Sequence, residues 1–218
     1  MKIRFIFMLF ACTFWANHVA GQNVQPFVKG GLTISFFDSN NKDNGYVGVN
    51  IGAGIQMPVN KSHSWFFSPA LACVSKGHSF DVYQANGNVS FSFLYLETQL
   101  DLIYRWQLGT KKSWCIPVGT GLYGAYCLKG KASATNDIAW FDGIHVREPI
   151  SVFDHSIGAN RWDAGWRMLT MGVEYHHFMF RCDIEKSFFS QFPHRKKYHF
   201  YQLKGTHTTI MLNVGYVF

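Results

Sequence analysis

Residues 46–58 read Tyr-Val-Gly-Val-Asn-Ile-Gly-Ala-Gly-Ile-Gln-Met-Pro, and they alternate between two kinds of side chain. The odd positions from Val47 to Met57 are all apolar, whereas the even positions between them are glycine, asparagine or glutamine. Because successive side chains of a β-strand point to opposite faces, this pattern predicts a strand with one apolar face and one small or polar face. The run is also longer than the roughly five or six residues that are usual in soluble sheets.

The same period of two recurs along most of the chain after residue 24. Most of these runs reach ten or more residues, which is about what a tilted strand needs to cross a bilayer. The mean hydropathy of the 218-residue chain is near zero although 17% of its residues are aromatic and only 15% are charged. Apolar residues therefore alternate with polar ones, which argues against transmembrane helices. The predicted strands are 25–36, 46–58, 64–77, 91–106, 113–129, 163–175, 178–188 and 206–218.

The connections between these runs alternate in length. Those after the second, fourth and sixth strands are short, at 59–63, 107–112 and 176–177. The others are longer, at 37–45, 78–90, 130–162 and 189–205. Membrane barrels have short periplasmic turns and longer external loops. The sequence therefore predicts an all-β, eight-stranded antiparallel up-and-down transmembrane β-barrel over residues 22–218.

The first 21 residues have a different character. Lys2 and Arg4 precede an apolar stretch from Phe5 to Trp15 that is too short to span a bilayer, and Val19-Ala20-Gly21 offers the small residues of a cleavage site. This predicts a cleaved signal peptide at 1–21, which would lower the formal charge from +7 to +5. An exported protein of this kind is expected in the outer membrane of a Gram-negative bacterium and is not expected to bind nucleic acid.

Charged residues of both signs lie on the polar face of the fourth, sixth and seventh predicted strands. Inside a barrel of eight strands there is room only for side chains, so charges there must pair. The alternative is the solvated outer face of a soluble, lipocalin-like ligand-binding barrel. Aromatic residues near the strand ends, which are typical of interfacial girdles, favour the membrane form. The predicted lumen charge network is Glu97, Asp101, Arg105, Glu174, Arg181, Asp183 and Glu185.

The last strand resembles the C-terminal strand signal of bacterial outer-membrane proteins. Residues 208–218 read Thr-Thr-Ile-Met-Leu-Asn-Val-Gly-Tyr-Val-Phe, with alternating apolar residues that lead through Tyr216 to the terminal Phe218. The resemblance implies the barrel-assembly machinery as a partner during biogenesis.

Four further segments share a pattern of glycine and alternating apolar residues: Val28-Lys-Gly-Gly-Leu-Thr-Ile-Ser35, Leu94-Tyr-Leu-Glu97, Val118–Tyr126 and Met171-Gly-Val-Glu-Tyr175. In these segments the chain resembles the PorT-like outer-membrane β-barrel family that is common in Bacteroidetes. Some relatives in that family assist type IX secretion. No catalytic motif comes with the resemblance, so it implies no active-site residues.

Two predicted outer loops are candidates for contacts. His194-Arg195-Lys196-Lys197 is a basic run that suits the phosphates of lipopolysaccharide in the outer leaflet, although it also suits a solvated loop face. The long 130–162 loop mixes aromatic and acidic residues, which favours packing over the barrel mouth or against a protein partner.

The remaining cysteines and histidines give little indication of a functional site. The four cysteines after residue 21 are widely spaced, and we interpret them as small apolar residues: Cys73, Cys115, Cys127 and Cys182. The pair His176-His177 is interpreted as a turn and not as a metal site. No cofactor is expected. We therefore expect a structural or interaction barrel, either a secretion-system accessory or a surface-binding barrel, and not an enzyme. The alternative is an outer-membrane lipid-modifying enzyme that uses serine and histidine near the outer end of the seventh strand, where Ser187, Ser190, His194 and His199 are candidates.

Overall fold

A computed structural model describes residues 24–38, 45–82, 87–109, 113–134, 139–140, 144–145, 150–153, 159–190 and 205–218. Residues 1–23, which contain the predicted signal peptide, lie outside this part. Three two-residue strand segments lie at Ala139–Trp140, Ile144–His145 and Ile150–Ser151. The long strands of the described residues are β1 Gln25–Asp38, β2 Tyr46–Pro58, β3 Trp65–Val82, β4 Gly87–Leu108, β5 Trp114–Ala134, β6 Trp162–Tyr175, β7 Phe178–Ser187 and β8 Thr206–Val217.

The eight long strands close into a ring. Each pairs antiparallel with its neighbours in chain order, and β1 pairs with β8 from Phe27 opposite Val217 to Asp38 opposite Thr206. A closed ring has no unpaired edge, which is what a sheet needs in a lipid environment where backbone groups cannot hydrogen-bond to water. The predicted fold class, an eight-stranded antiparallel up-and-down barrel, is confirmed.

The outer surface of the barrel carries a broad apolar belt. Val47, Val49 and Ile51 of β2 are 68%, 63% and 69% exposed. Along β4 the belt runs from Leu94 to Tyr104, which spans about 25 Å at the usual rise and tilt of barrel strands and matches the belt of membrane barrels. A soluble barrel would hold these side chains in its interior, so the belt faces lipid.

Aromatic side chains border the belt at the end where the short turns lie. Trp65 contacts Tyr104 with ring centroids 5.2 Å apart, and Trp114 contacts Tyr175 at 4.3 Å. These pairs form an interfacial girdle of the predicted type. Phe66, which also lies near the start of β3, does not belong to this girdle. The structure buries its ring inside the barrel, because even positions of this part of β3 face inward.

Three strands continue well beyond the belt on the side of the long connections. The predicted connection 78–90 is wrong for most of its length, because β3 continues to Val82 and β4 begins at Gly87. Likewise β5 continues to Ala134, where Ile150–Ser151 pairs with its residues Lys131 and Ala132. We call the parts of β3, β4 and β5 beyond Lys76, Leu94 and Leu128 the extension.

In the extension, the apolar and polar side chains exchange faces of the sheet. Within the belt, β4 points leucines outward and Glu97 inward, but above it the inward residues are apolar, such as Phe91 and Phe93, and the outward residues are serines at 90 and 92. This is the arrangement of a water-exposed sheet with an apolar core. The predicted strands end near 77, 91 and 129, because the prediction assumed that one face is apolar and the other polar along the whole strand.

Within the described residues, no helix is long and apolar enough to cross a membrane. The four cysteines after residue 21 are unpaired. The turn at His176-His177 forms as expected, with the backbone of His176 in the left-handed region.

Candidate functional site

The centre of the lumen is organised by Arg167 of β6, which is fully buried. Its Nε donates to Asp101 Oδ1 at 2.7 Å, and its Nη2 lies 3.0 Å from Asp183 Oδ2. Its Nη1 pairs with Glu185 and lies 3.8 Å from Glu97 Oε1. One guanidinium therefore bridges carboxylates from two sides of the barrel, since the carboxylates belong to β4 and β7.

A bulge in β6 brings Arg167 inward. Thr170 lies opposite Asp183 and Leu169 opposite Ile184, but Glu185 then lies opposite Arg167, so Met168 is the extra residue. A bulge shifts the alternation of a strand by one position. Below it the even residues of β6 face the lumen, and above it the odd residues do.

Lys76 of β3 completes the central ion network. Its Nζ lies 2.8 Å from Glu97 Oε2 and 2.9 Å from Glu185 Oε2, and it sits 4.2 Å above the centre of the Tyr123 ring. Lys29 of β1 lies 3.5 Å from Asp183 on the opposite side. The centre of the lumen is thus filled by paired charges and leaves no wide channel.

A second, smaller group lies nearer the short turns. Here Glu174 Oε2 lies 2.8 Å from Arg105 Nη2, and Glu174 Oε1 accepts a hydrogen bond from Arg181. Cys115 Sγ donates to the same carboxylate at 3.1 Å. Arg105 also stacks on the ring of Phe66, 4.2 Å from its centre. Two guanidinium groups therefore share one carboxylate.

The structure places all seven residues of the predicted lumen network inside the barrel. Glu97, Asp101, Asp183 and Glu185 surround Arg167, whereas Glu174, Arg105 and Arg181 form the group near the short turns. Sequence reasoning missed four further lumen charges: Lys29, Lys76, Asp163 and Arg167. The alternation of β1 would have identified Lys29, since the residues beside it, Val28 and Gly30, lie on the outward face.

The outer mouth is filled with rings instead of charges. His78 stacks between Phe37, at 4.3 Å, and Phe91, at 4.8 Å, and the His207 ring lies 5.4 Å from it. Val152, from the predicted 130–162 loop, is fully buried in the same cluster, and its backbone N–H donates to Gly130 O at 3.3 Å. This part of the loop packs over the barrel mouth.

Lys129 and Lys131 of β5 lie next to the outer end of the belt, and both are exposed on the outward face. Just below them, Tyr126 and Trp162 lie with ring centroids 4.9 Å apart. The basic run at His194, Arg195, Lys196 and Lys197 lies outside the described residues. At the opposite end, Tyr216 and Phe218 of the predicted assembly signal lie on the outward face, with ring centroids 5.2 Å apart.

Among the described residues, no group of three or more histidine, cysteine, aspartate or glutamate side chains is placed to hold a metal ion. Ser187, a candidate of the enzyme alternative, is buried and donates a hydrogen bond to Asp163. It therefore faces the lumen and not the lipid.

Residues 20–192 match the model of a protein family described as the outer membrane protein beta-barrel domain. The chain belongs to this family. It is an outer-membrane β-barrel protein, and its short turns accordingly face the periplasm and the extension faces the outside. No curated protein matches the chain significantly.

Several solved outer-membrane barrels are similar to this one in structure. The attachment invasion locus protein Ail of Yersinia pestis is 13% identical, with a TM-score of 0.44, and the match covers 89% of this chain and 98% of that chain. OprG of Pseudomonas aeruginosa is 12% identical, with a TM-score of 0.46 and coverage of 90% and 97%. Neisserial surface protein A is 10% identical, with a TM-score of 0.42 and coverage of 89% and 97%.

Proposed function

We propose that this outer-membrane barrel is a non-conducting interaction protein that presents its extension to a protein partner at the cell surface. The observation that carries the proposal is the reversal of faces in β3, β4 and β5. The extension keeps an ordered sheet with its own aromatic core about 15 Å beyond the belt, judged from the length of β4 there. A stretch that only joined strands would need no such core.

The filled lumen supports a role other than transport. Arg167 and Lys76 lie among four carboxylates with all side chains buried, and Val152 packs into the mouth above them. In planar lipid bilayers we therefore expect the purified barrel to give no defined conductance steps, under conditions in which a trimeric porin conducts. Reproducible steps that depend on the amount of barrel would contradict the proposal.

A photo-crosslinking residue at Ser133 tests the extension directly, because this side chain is exposed on the outward face of β5. The matched control is Leu100, which is 43% exposed but lies in the apolar belt. We expect a protein adduct in whole cells from position 133 and none from position 100. The proposal is wrong if neither position, or both equally, give an adduct.

The identity of the adduct separates the two forms of the proposal. A component of a secretion machinery would support the accessory role that the PorT-like resemblance suggests. A protein of another cell or of the surroundings would support a surface-binding role. Because Val152 anchors residues 150–153 to the mouth cluster, we include this described part of the 130–162 segment in the proposed contact surface.

Lipopolysaccharide is the proposed lipid partner. Lys129 and Lys131 lie just above the outer aromatic residues, where lipid phosphates are expected, and clustered cations there attract them. We expect the double variant Lys129→Gln, Lys131→Gln to retain less lipopolysaccharide during detergent extraction. Lys61→Gln, in an exposed periplasmic turn, is the matched control and should retain the wild-type amount. Equal loss in both variants would show only a general effect of charge.

The lipid-modifying alternative has a clear test. A deletion strain should show an unchanged lipid A mass spectrum, because the Ser187 hydroxyl donates its hydrogen bond to Asp163 inside the lumen and does not face the lipid. A changed acylation pattern that the wild-type gene restores would overturn the non-enzymatic proposal.

A further inference from the structure

A cavity of about 400 Å³ opens at the periplasmic end of the barrel. Residues of all three short connections and of the end of the chain line it, among them His63, Ser113, His177 and Phe218. Its inner wall is formed by Arg105, Cys115 and Glu174. The volume lies in the range of small-molecule sites, which is about 300–1,000 Å³.

The inner wall of this cavity belongs to an ion group of two arginines and one glutamate, of which Arg105 and Glu174 line the cavity and Arg181 does not. Arg105 and Arg181 both depend on Glu174, which lies 2.8 Å from Arg105 Nη2 and accepts a hydrogen bond from Arg181. The next carboxylate toward the outside, Asp183, is already paired with Lys29 and Arg167. A poorly compensated charge in a low-dielectric interior is costly, so an anion that entered the cavity would be stabilised.

Arg105 is held in place to receive such an anion. Its Nη1 donates to Gln25 Oε1 at 2.9 Å, its Nη2 donates to Gln56, and its plane stacks on Phe66. Its Nε is buried and has no hydrogen-bond acceptor among the described residues. A guanidinium that is already fixed in place loses little conformational entropy on binding, and carboxylates are its natural partners.

We propose that this periplasmic cavity is a binding site for a small ligand that carries a carboxylate, with Arg105 as the residue that binds it. The carboxylate can belong to a small organic acid or to the C-terminus of a short peptide. This site is independent of the extension and lies on the other side of the membrane from it.

Binding can be measured on the refolded mature chain, residues 22–218, in detergent micelles. The probes are succinate and trialanine, and the signal is the Nε–H resonance of Arg105 in ¹H–¹⁵N spectra of arginine-labelled protein. We expect a saturable shift of this resonance in the millimolar range and none of Arg161 at the opposite end. Saturation by succinate alone assigns an organic acid, and saturation by trialanine at lower concentration assigns a peptide end. No saturable shift with either probe overturns the proposal.

Variants test the location. Glu174→Gln removes the shared carboxylate, so we expect binding tighter by about threefold or more. Gln107 lines the cavity and is exposed, so Gln107→Trp should fold normally, block the cavity and weaken binding by about tenfold or more. Lys129→Gln, at the far end, should bind like the wild type. Unchanged affinity in Gln107→Trp, with its heat-dependent gel shift intact, would place the binding elsewhere and overturn the proposal.

Discussion

Replacement of Arg167 by leucine is expected to leave the barrel largely unfolded. The substitution removes the cation that contacts Asp101, Asp183 and Glu185, all of them buried. Breaking one buried ion pair by removing a partner costs about 3–5 kcal/mol, and here several carboxylates lose a partner at once. Since whole domains are commonly stable by only about 5–15 kcal/mol, this loss is large enough to prevent folding.

The measurement is the fraction of folded barrel, from the heat-dependent gel shift, and its urea midpoint in phospholipid vesicles. Arg161→Leu is the matched control, because Arg161 is exposed and stacks on Phe153 without an ion pair among the described residues. Adding Asp101→Asn to Arg167→Leu should restore part of the stability, because Asp101 pairs only with Arg167 among the described residues, whereas Asp183 keeps Lys29 and Glu185 keeps Lys76. A single Arg167→Leu variant as stable as the control would show that the central network contributes little.

Replacement of Gly31 by valine is expected to disrupt the closure of the barrel. A Cβ atom at Gly31 would overlap the backbone carbonyl of Leu212 on β8, which no side-chain rotation can relieve. Gly31 lies opposite Asn213 in the pairing of β1 with β8, the strands that close the ring. Overpacking of this kind costs about 1–3 kcal/mol in ordinary cores, and a branched side chain at a backbone contact lies at the upper end.

Gly30 provides a matched control for this prediction. A Cβ atom there would meet only Asn50 O at 3.4 Å, so Gly30→Ala should assemble normally. We expect Gly31→Val to lower the yield of heat-modifiable barrel in the outer membrane and to increase degradation in the periplasm. Equal yields from the two variants would mean that β1 and β8 can separate locally without harm.

Within the apolar belt, the sequence was sufficient to assign the lipid-facing and lumen-facing residues of β4 and β7. Lipid on one side requires apolar residues at every outward position, so alternation in β4 and β7 places Asp101 and Asp183 in the lumen without further information. The antiparallel pairing of β2 with β3, β4 with β5 and β6 with β7 similarly followed from the short connections between them. These features depend only on residues that are close in the chain.

Arg167 could not be found in the same way. Strict alternation from Glu174 would place it on the lipid face, and only the bulge at Met168 turns it inward. A bulge depends on how β6 pairs with β5 and β7, which local sequence does not reveal. Lys76 was missed for another reason, because the inward positions before it, Ala70, Ala72 and Val74, are as apolar as the outward ones.

The extension was missed because it follows the opposite physical rule. Above Leu94, water lies outside the sheet and rings lie inside, so the apolar residues change sides along a continuous strand. If lipid is assumed outside the sheet along the full strand, the pattern breaks at this point and the predicted strand ends there. The change of side is visible in the sequence of β4 once two solvents are allowed, as in Ser90-Phe91-Ser92-Phe93 followed by Leu94-Tyr95-Leu96-Glu97.

The point at which the apolar residues of β4 change from the outward to the inward face also sets the depth of the barrel in the bilayer. If the molecule moved inward, Ser92 and the charged Lys129 would enter hydrocarbon; if it moved outward, exposed leucines would enter water. A lysine on the lipid face costs more the deeper it lies, up to about 2–4 kcal/mol at the midplane. Movement of the barrel in either direction along the membrane normal therefore raises the free energy. The rim of the molecule consequently stands at a constant height over the headgroups, and a docking protein would always meet it at the same elevation.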